Sequence, residues 1–119
     1  MTRWTDDLRS SLDERLDAHR AAMHDSLDGL TEEEVRARLV PSRTTLLGLL
    51  QHVTYVEAVW FGQAVTGAST RELGVPSSPG RSFVLRRTAT IASVRAAHEH
   101  RCAASRQTMA GLALDDEVT

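Results

Sequence analysis

The feature that most constrains the fold is a long, strongly apolar segment at Val40–Phe61, which reads VPSRTTLLGLLQHVTYVEAVWF. Pro41 marks a turn, and Thr44 or Thr45 supplies an N-cap from which a helix can start. Apolar residues cover more of this helix than a single stripe, so we expect it to be the most buried helix of the protein. It carries one histidine, His52, which is therefore either a buried hydrogen-bonded group or a metal ligand.

The rest of the sequence predicts two more long helices and one short helix. Gly29 is placed to end the first helix, and Thr31 with Glu34 forms the capping-box pattern that starts the short one. We expect helices over residues 6–27 and 31–38, a second long helix that starts after Thr44 or Thr45 and runs to about residue 65, and a third that starts near Thr88 or Thr90 and runs to about residue 109. A loop rich in Gly, Pro and Ser is expected over residues 67–82. Because there is little strand signal, the pattern predicts an all-α bundle of three long helices and one short helix.

Apolar residues recur at steps of three and four along the first and third long helices, which defines one buried face on each. On the first helix these residues are Leu8, Leu12, Leu16, His19, Met23 and Leu27. The corresponding face of the third helix consists of Ile91, Val94, His98, Cys102, Ser105, Met109 and Leu112. Two histidines are therefore expected on buried faces.

Composition limits the classes of function. The chain has 119 residues, the size of a single domain, and its net charge of −2 argues against binding to nucleic acid or to an anionic membrane surface. The single cysteine, Cys102, rules out an internal disulfide bond and fits a reducing compartment. No apolar run is long enough to span a membrane and the first residues do not form a signal peptide, so we expect a cytoplasmic protein.

Two adjacent segments carry a resemblance to a known family. The segment Asp28–Ser42, DGLTEEEVRARLVPS, runs directly into the apolar segment described above. Together they match the pattern LxGLxxEEVRxRLVPSxTTLLGLxxHxxxVExxWF almost letter for letter. The chain thereby resembles the DinB-like superfamily and, within it, the mini-circle-protein family of actinobacteria. The resemblance is specific over Arg20–Phe61 and weaker over Ser82–Ser105.

The resemblance implies a fold of the DinB-like four-helix-bundle type. Members of the family are usually longer and continue into a final helix with two more histidines, so we expect residues 1–119 to be one DinB-like domain without that C-terminal helix. His52 matches the first of three ligands that the family uses for a divalent metal, and no residue of this chain matches the other two. The resemblance therefore implies an incomplete site for Zn or Ni with His52 as its ligand.

The other histidines have structural interpretations. His98 and His100 are two residues apart and face opposite sides of a helix, so they cannot chelate one ion together. We expect His98 in the core or in the wall of a cleft, and His100 in solvent. His24 lies on the polar side of the first helix and is expected at the surface, whereas His19 lies on the apolar face and is expected to be structural.

Three further side chains are interpreted without invoking catalysis. Glu57 is expected to pair with an arginine such as Arg20 or Arg43. Cys102 is expected to be a small buried thiol, because no surrounding pattern marks it as a nucleophile. Trp60 is expected to anchor the core or an interface. No catalytic residue is assigned from the sequence.

Two functions remain open at this stage. The resemblance implies a metal-dependent S-transferase for a low-molecular-weight thiol such as mycothiol, of which this chain is a partial form. The metal would polarise the sulfur or lower its pKa, so that the thiolate attacks an electrophile. The alternative is a non-catalytic helical bundle that forms a homodimer through the exposed side of the second long helix and acts as a binding or structural module.

Overall fold

Capping threonines and helix-ending glycines set the helix boundaries in a computed structural model, which describes residues 3–37, 44–113 and 116–117. The elements are α1 (Arg3–Asp25), α2 (Glu32–Val35), α3 (Leu46–Ala58), a π-helical turn (Val59–Gln63), α4 (Ala64–Thr66), α5 (Pro79–Ser82) and α6 (Ile91–Ala110). Within these described ranges three helices are long and no β-strand occurs, which confirms the all-α fold class.

Side-chain caps start the helices where the sequence predicted them. Thr31 accepts a hydrogen bond from the Glu34 amide, and the Glu34 carboxylate accepts one from the Thr31 amide, which completes the capping box of α2. Thr45 caps α3 and Thr90 caps α6 through their hydroxyl oxygens. Gly67, with a left-handed φ of 77°, ends α4.

The apolar core lies where α3 packs against α6, the most closely packed pair of helices in the described chain. Its buried side chains are Leu27, Val35, Leu47, Leu50 and Val94. The core therefore joins the end of α1, the short α2, the first half of α3 and the first half of α6. Because α3 has more buried residues than any other described helix, the prediction that it is the most buried helix is confirmed.

The buried face predicted for the first helix is only partly correct. Leu8 and Leu12 remain 42% and 44% exposed, and His19 is exposed. Leu27, just beyond the end of α1, is buried in the core, and Met23 packs against it while partly exposed. The physical reason is that the backbone of α1 approaches the other helices less closely than α3 and α6 approach each other, so the leucines near its start stay exposed.

Arginine side chains bridge the gap between α1 and the rest of the bundle. The contacts are Arg9 with the Met109 and Leu112 carbonyls, Arg106 with Asp17, Arg20 with Glu57, and Arg95 with Asp28 and the His24 carbonyl. Residue numbers rise along α1 as those of their α6 partners fall, so α1 and α6 are antiparallel. The long arginine side chains thus hold α1 against α3 and α6, to which apolar packing alone attaches it only weakly.

Two residues singled out from the sequence, Pro41 and Arg43, lie outside the residues that the structure describes. The sequence predicted a turn at Pro41, and it offered Arg43 as an alternative partner for Glu57. Trp60 is 65% exposed in the π-helical turn and so does not anchor the core. None of the helices in the described part of the chain is both long enough and apolar enough to cross a lipid bilayer.

Candidate functional site

The hydrogen bond between His52 and Ser82 defines which ring nitrogen of His52 carries the proton. The Oγ of Ser82, a fully buried residue at the end of α5, donates its proton to the Pro79 carbonyl oxygen over 2.5 Å. The Nδ1 of His52 lies 2.6 Å from the same Oγ. Since a hydroxyl has one proton to donate, Oγ must accept from Nδ1, which places the ring proton on Nδ1 and the lone pair on Nε2.

The surroundings of His52 keep this ring neutral and fixed. Its ring stacks on Phe83, with centroids 4.0 Å apart and an interplanar angle of 14°. Burial lowers the pKa of His52, so the imidazole is uncharged at neutral pH. A neutral imidazole that donates its other N–H to an oxygen is the usual form of a metal-ligating histidine.

The assignment of His52 as a metal ligand stays a prediction. Within the described residues, the one group of three potential metal ligands lies elsewhere and does not include His52. The local geometry fits a ligand in tautomer and charge, but the described residues do not complete a coordination shell around it.

A buried polar group lies between α3 and α6 and consists of Glu57, His98 and Cys102, which we call the Glu–His–Cys cluster. Glu57 and Cys102 are 6% and 3% exposed, and His98 has no exposure. The Cys102 Sγ donates to Glu57 Oε2 over 3.0 Å and lies 3.5 Å from His98 Nε2. The His98 Nε2 lies 3.6 Å from Glu57 Oε2, so one atom from each residue contributes to a compact triangle.

Arg20 of α1 neutralises the carboxylate of this cluster. Its Nε donates to Glu57 Oε2 over 2.8 Å and its Nη2 donates to Oε1 over 2.7 Å. Burial alone would raise the pKa of Glu57, but hydrogen bonds from His98, Arg20 and Cys102 outweigh that effect and hold the pKa well below its usual range. Glu57 is therefore a carboxylate at neutral pH, and its hydrogen bond to Arg20 raises the arginine's pKa in turn.

His24 joins the cluster from α1. Its Nε2 lies 2.6 Å from His98 Nδ1, and its side chain is only 16% exposed. The expectation that His24 lies at the surface is therefore wrong, because α1 turns this side chain toward α6. Burial and the neighbouring His98 lower the pKa of His24, so this ring too is neutral at neutral pH.

Cys102 is not an activated nucleophile in this environment. Burial raises the pKa of its thiol to about 12, and the neighbouring Glu57 carboxylate acts in the same direction. A thiol with this pKa remains protonated at neutral pH and reacts slowly with electrophiles. This confirms the interpretation of Cys102 as a small buried thiol.

Two cavities lie beside these groups. A cavity of about 310 Å³ between α1 and α6 is lined by His24, His98 and Cys102 together with Asp17, Arg20, Ala21, Asp25, Glu99 and Arg106. A second cavity, of about 500 Å³, is lined from α3 by Gln51, Thr54 and Tyr55 and from α6 by Ser93, Val94 and Ala97. His52 is not among its lining residues, but the His52 ring stacks on that of Tyr55, which is, at a centroid distance of 6.1 Å.

Sequence patterns do not bring the members of the Glu–His–Cys cluster together, although they predict features of the single residues. The pairing of Glu57 with Arg20, the burial of His98 and the exposure of His100 are confirmed. Two features of the sequence could have indicated that the cluster residues lie together. Residues 98 and 102 share a helix face, and α3 has a single acidic residue, whose buried charge requires partners.

Comparison with known protein families identifies the family of this chain. A family model described as Mycothiol-S-transferase matches residues 11–119, which is most of the chain. The family belongs to the DinB-like superfamily. No match was found among curated proteins or among solved structures.

Proposed function

The chain belongs to the mycothiol-S-transferase family, and we propose that it takes part in metal-dependent transfer of a low-molecular-weight thiol, such as mycothiol, to an electrophile. The observation that carries this proposal is the family match across residues 11–119. The narrower resemblance to mini-circle proteins and a cytoplasmic location are part of the same proposal.

In this proposal His52 supplies one metal ligand through Nε2. The hydrogen bond from Nδ1 to Ser82 leaves Nε2 with the lone pair, and stacking on Phe83 holds the ring in one orientation. When bound, a divalent metal such as Zn or Ni lowers the pKa of a thiol and stabilises the thiolate nucleophile. The resemblance assigns the remaining ligands to a further helix, and none of the described residues replaces them.

The cavity of about 500 Å³ beside α3 is the proposed binding site for the thiol compound. Its volume is in the range of about 300–1,000 Å³ that is typical of small-molecule sites. The lining combines apolar side chains with hydroxyl and guanidinium groups, including Tyr55, Thr88, Ser93 and Arg86. Such a lining offers hydrogen bonds to a polar thiol compound while limiting access of water to its sulfur.

The experiment measures the rate at which mycothiol is consumed by a bimane-type electrophile in the presence of Zn²⁺ or Ni²⁺. Because His52 is one of the three ligands that the resemblance implies, we expect a metal-dependent rate only from a chain that also carries the further histidine-bearing helix, and we expect His52→Ala to abolish that rate. His100→Ala is the matched control, because His100 is exposed on α6, and its rate should equal that of the unaltered protein. A rate from that longer chain no higher than the uncatalysed reaction with either metal, or an unchanged rate in His52→Ala, would contradict the proposal.

A homodimeric binding module is a second candidate function, favoured by the exposure of Trp60. This side chain is 65% exposed, although tryptophan buries the largest apolar area of any residue and is enriched at interfaces. The candidate predicts a melting temperature that rises with protein concentration and loses that dependence in Trp60→Ala. A strictly monomeric species in light scattering at all concentrations would contradict it.

A further inference from the structure

We propose that the Glu–His–Cys cluster is a binding site for a thiophilic divalent cation such as Zn²⁺, coordinated by Glu57 Oε2, His98 Nε2 and Cys102 Sγ. This site is separate from the one proposed at His52 and does not depend on the proposed function. On an α-helix, residues 52 and 57 are separated by about 140° of rotation, so they face different sides of α3.

The spacing of the three atoms matches one face of a tetrahedral metal site. Bonds of about 2.0–2.3 Å from zinc to oxygen, nitrogen and sulfur hold neighbouring ligand atoms about 3.3–3.6 Å apart. The observed separations are 3.0 Å between sulfur and oxygen, 3.5 Å between sulfur and nitrogen, and 3.6 Å between nitrogen and oxygen. Only the sulfur–oxygen contact, at present a hydrogen bond, has to lengthen when the ion enters.

The cation displaces the protons that Cys102 Sγ and His98 Nε2 direct at Glu57. The S–H bond of Cys102 breaks, its proton passes to water, and a sulfur–metal bond forms without any change of oxidation state. The proton on His98 Nε2 also passes to water and the ring takes one up at Nδ1, so that His98 stays neutral and the net release is one proton. Arg20 can stay in place, because each oxygen of a carboxylate has more than one lone pair. Its Nε and Nη2 keep their hydrogen bonds of 2.8 and 2.7 Å to Glu57, and they orient the carboxylate.

Arg20 also places positive charge near the cation, and Asp17 offsets part of it. The Asp17 carboxylate accepts from Arg20 Nη1 over 2.8 Å and from Arg106 over 2.9 Å. The arginine charge is therefore shared between two carboxylates, Glu57 and Asp17. Because the Glu57 carboxylate also compensates Arg20, a cation here must gain much of its binding energy from the sulfur and nitrogen ligands. The cluster therefore favours Zn²⁺ over Mg²⁺, which prefers oxygen ligands alone.

The surroundings supply the two other features that a metal site needs. His24 Nε2 lies 2.6 Å from His98 Nδ1, so in the metal-bound state it can accept the Nδ1 proton, which leaves the lone pair of His98 on Nε2 for the cation. The cavity of about 310 Å³ reaches both His98 and Cys102, which provides an entry route and room for a fourth, exchangeable ligand.

The first test uses the unaltered chain with one equivalent of Zn²⁺ and X-ray absorption at the zinc edge. We expect one sulfur neighbour at about 2.3 Å and nitrogen or oxygen neighbours at about 2.0–2.2 Å. Cys102 is the single cysteine, so a thiolate neighbour identifies it. A shell of nitrogen and oxygen alone, or of two sulfur atoms from a site between chains, would overturn the proposal.

The second test uses Co²⁺, whose charge-transfer absorption reports a thiolate ligand. We expect Cys102→Ser to abolish this absorption and His24→Ala to weaken binding about 10- to 100-fold through the lost contact with His98. His52→Ala and the exposed-histidine control His100→Ala should retain the absorption, whatever happens to thiol transfer. If the unaltered chain shows no such absorption at saturating Co²⁺, or if the absorption is lost in His52→Ala but fully kept in His98→Ala, the inference is overturned and the proposed function is left standing.

Discussion

At the scale of the residue, the Glu57 carboxylate is the most strongly constrained group. Its side chain is 8% exposed and that of Arg20 is 11% exposed, and the two form a bidentate ion pair. Removing one partner of a buried ion pair leaves the other charge without compensation. The stability of the bundle therefore depends on this pair far more than on the exposed ion pairs along α1.

We predict that Glu57→Gln lowers the free energy of unfolding by about 3–5 kcal/mol, because Arg20 then loses its buried counter-ion. Urea unfolding at pH 7 measures the change. Glu99→Gln is the control, since the Glu99 side chain is 71% exposed, and it should change stability by less than about 0.5 kcal/mol. Equal effects of the two substitutions would show that the Glu57 pair does not stabilise the fold.

The same carboxylate predicts a pH dependence. The pKa of Glu57 in the folded protein lies below its ordinary value of 4.5, so the unfolded chain takes up a proton at a higher pH than the folded chain does. The stability from Glu57 is therefore complete above pH 4.5 and is lost as the pH falls below that value. Unfolding measured from pH 6 to pH 3 should show a shallower loss of stability in Glu57→Gln than in the unaltered chain.

At the scale of the element, α3 is positioned by a close approach at Gly48. A Cβ placed there would lie 2.7 Å from the Phe83 carbonyl oxygen and 3.0 Å from the Thr45 hydroxyl. The absence of a side chain thus lets the segment that carries Phe83 and Ser82 pack directly on α3. That packing brings both residues to His52, so one glycine sets the geometry of the candidate ligand.

We predict that Gly48→Ala destabilises the protein, although the same substitution inside an exposed helix usually stabilises it by about 1 kcal/mol. The added methyl group must displace backbone atoms of the Phe83 segment. Gly80→Ala is the control, because a Cβ at Gly80 meets nothing within 4 Å. The melting temperature should fall in Gly48→Ala and stay close to the original in Gly80→Ala, and the reverse order would contradict this packing.

Sequence patterns reveal the helix caps but not how closely the helices approach one another. The caps at Thr31 and Thr45 depend on local chemistry, and the sequence predicted the first outright and the second as one of two threonines, Thr44 or Thr45. The exposure of His19 and the burial of His24 depend on how closely α1 approaches its neighbours, which periodicity does not record. The Glu–His–Cys cluster is assembled from two helices, α3 and α6, so the sequence does not reveal it until their relative positions are known.

At the scale of the whole molecule, the protein combines an apolar core with a helix held largely by polar contacts. The core cluster joins α3 and α6, whereas the first half of α1 leaves its leucines exposed. Segments with few buried apolar contacts open at a lower free-energy cost than the core. We therefore predict that amide hydrogens of residues 8–16 exchange faster than those of residues 47–58, as measured by hydrogen–deuterium exchange. Equal protection of both segments would contradict this account.

The claim on which the functional account depends is that His52 is a neutral imidazole with its proton on Nδ1 and its lone pair on Nε2. Nitrogen NMR of the imidazole rings at pH 7 measures this directly. We expect His52 to show a protonated Nδ1 and an unprotonated Nε2. A ring protonated at Nε2, alone or together with Nδ1, would contradict the claim.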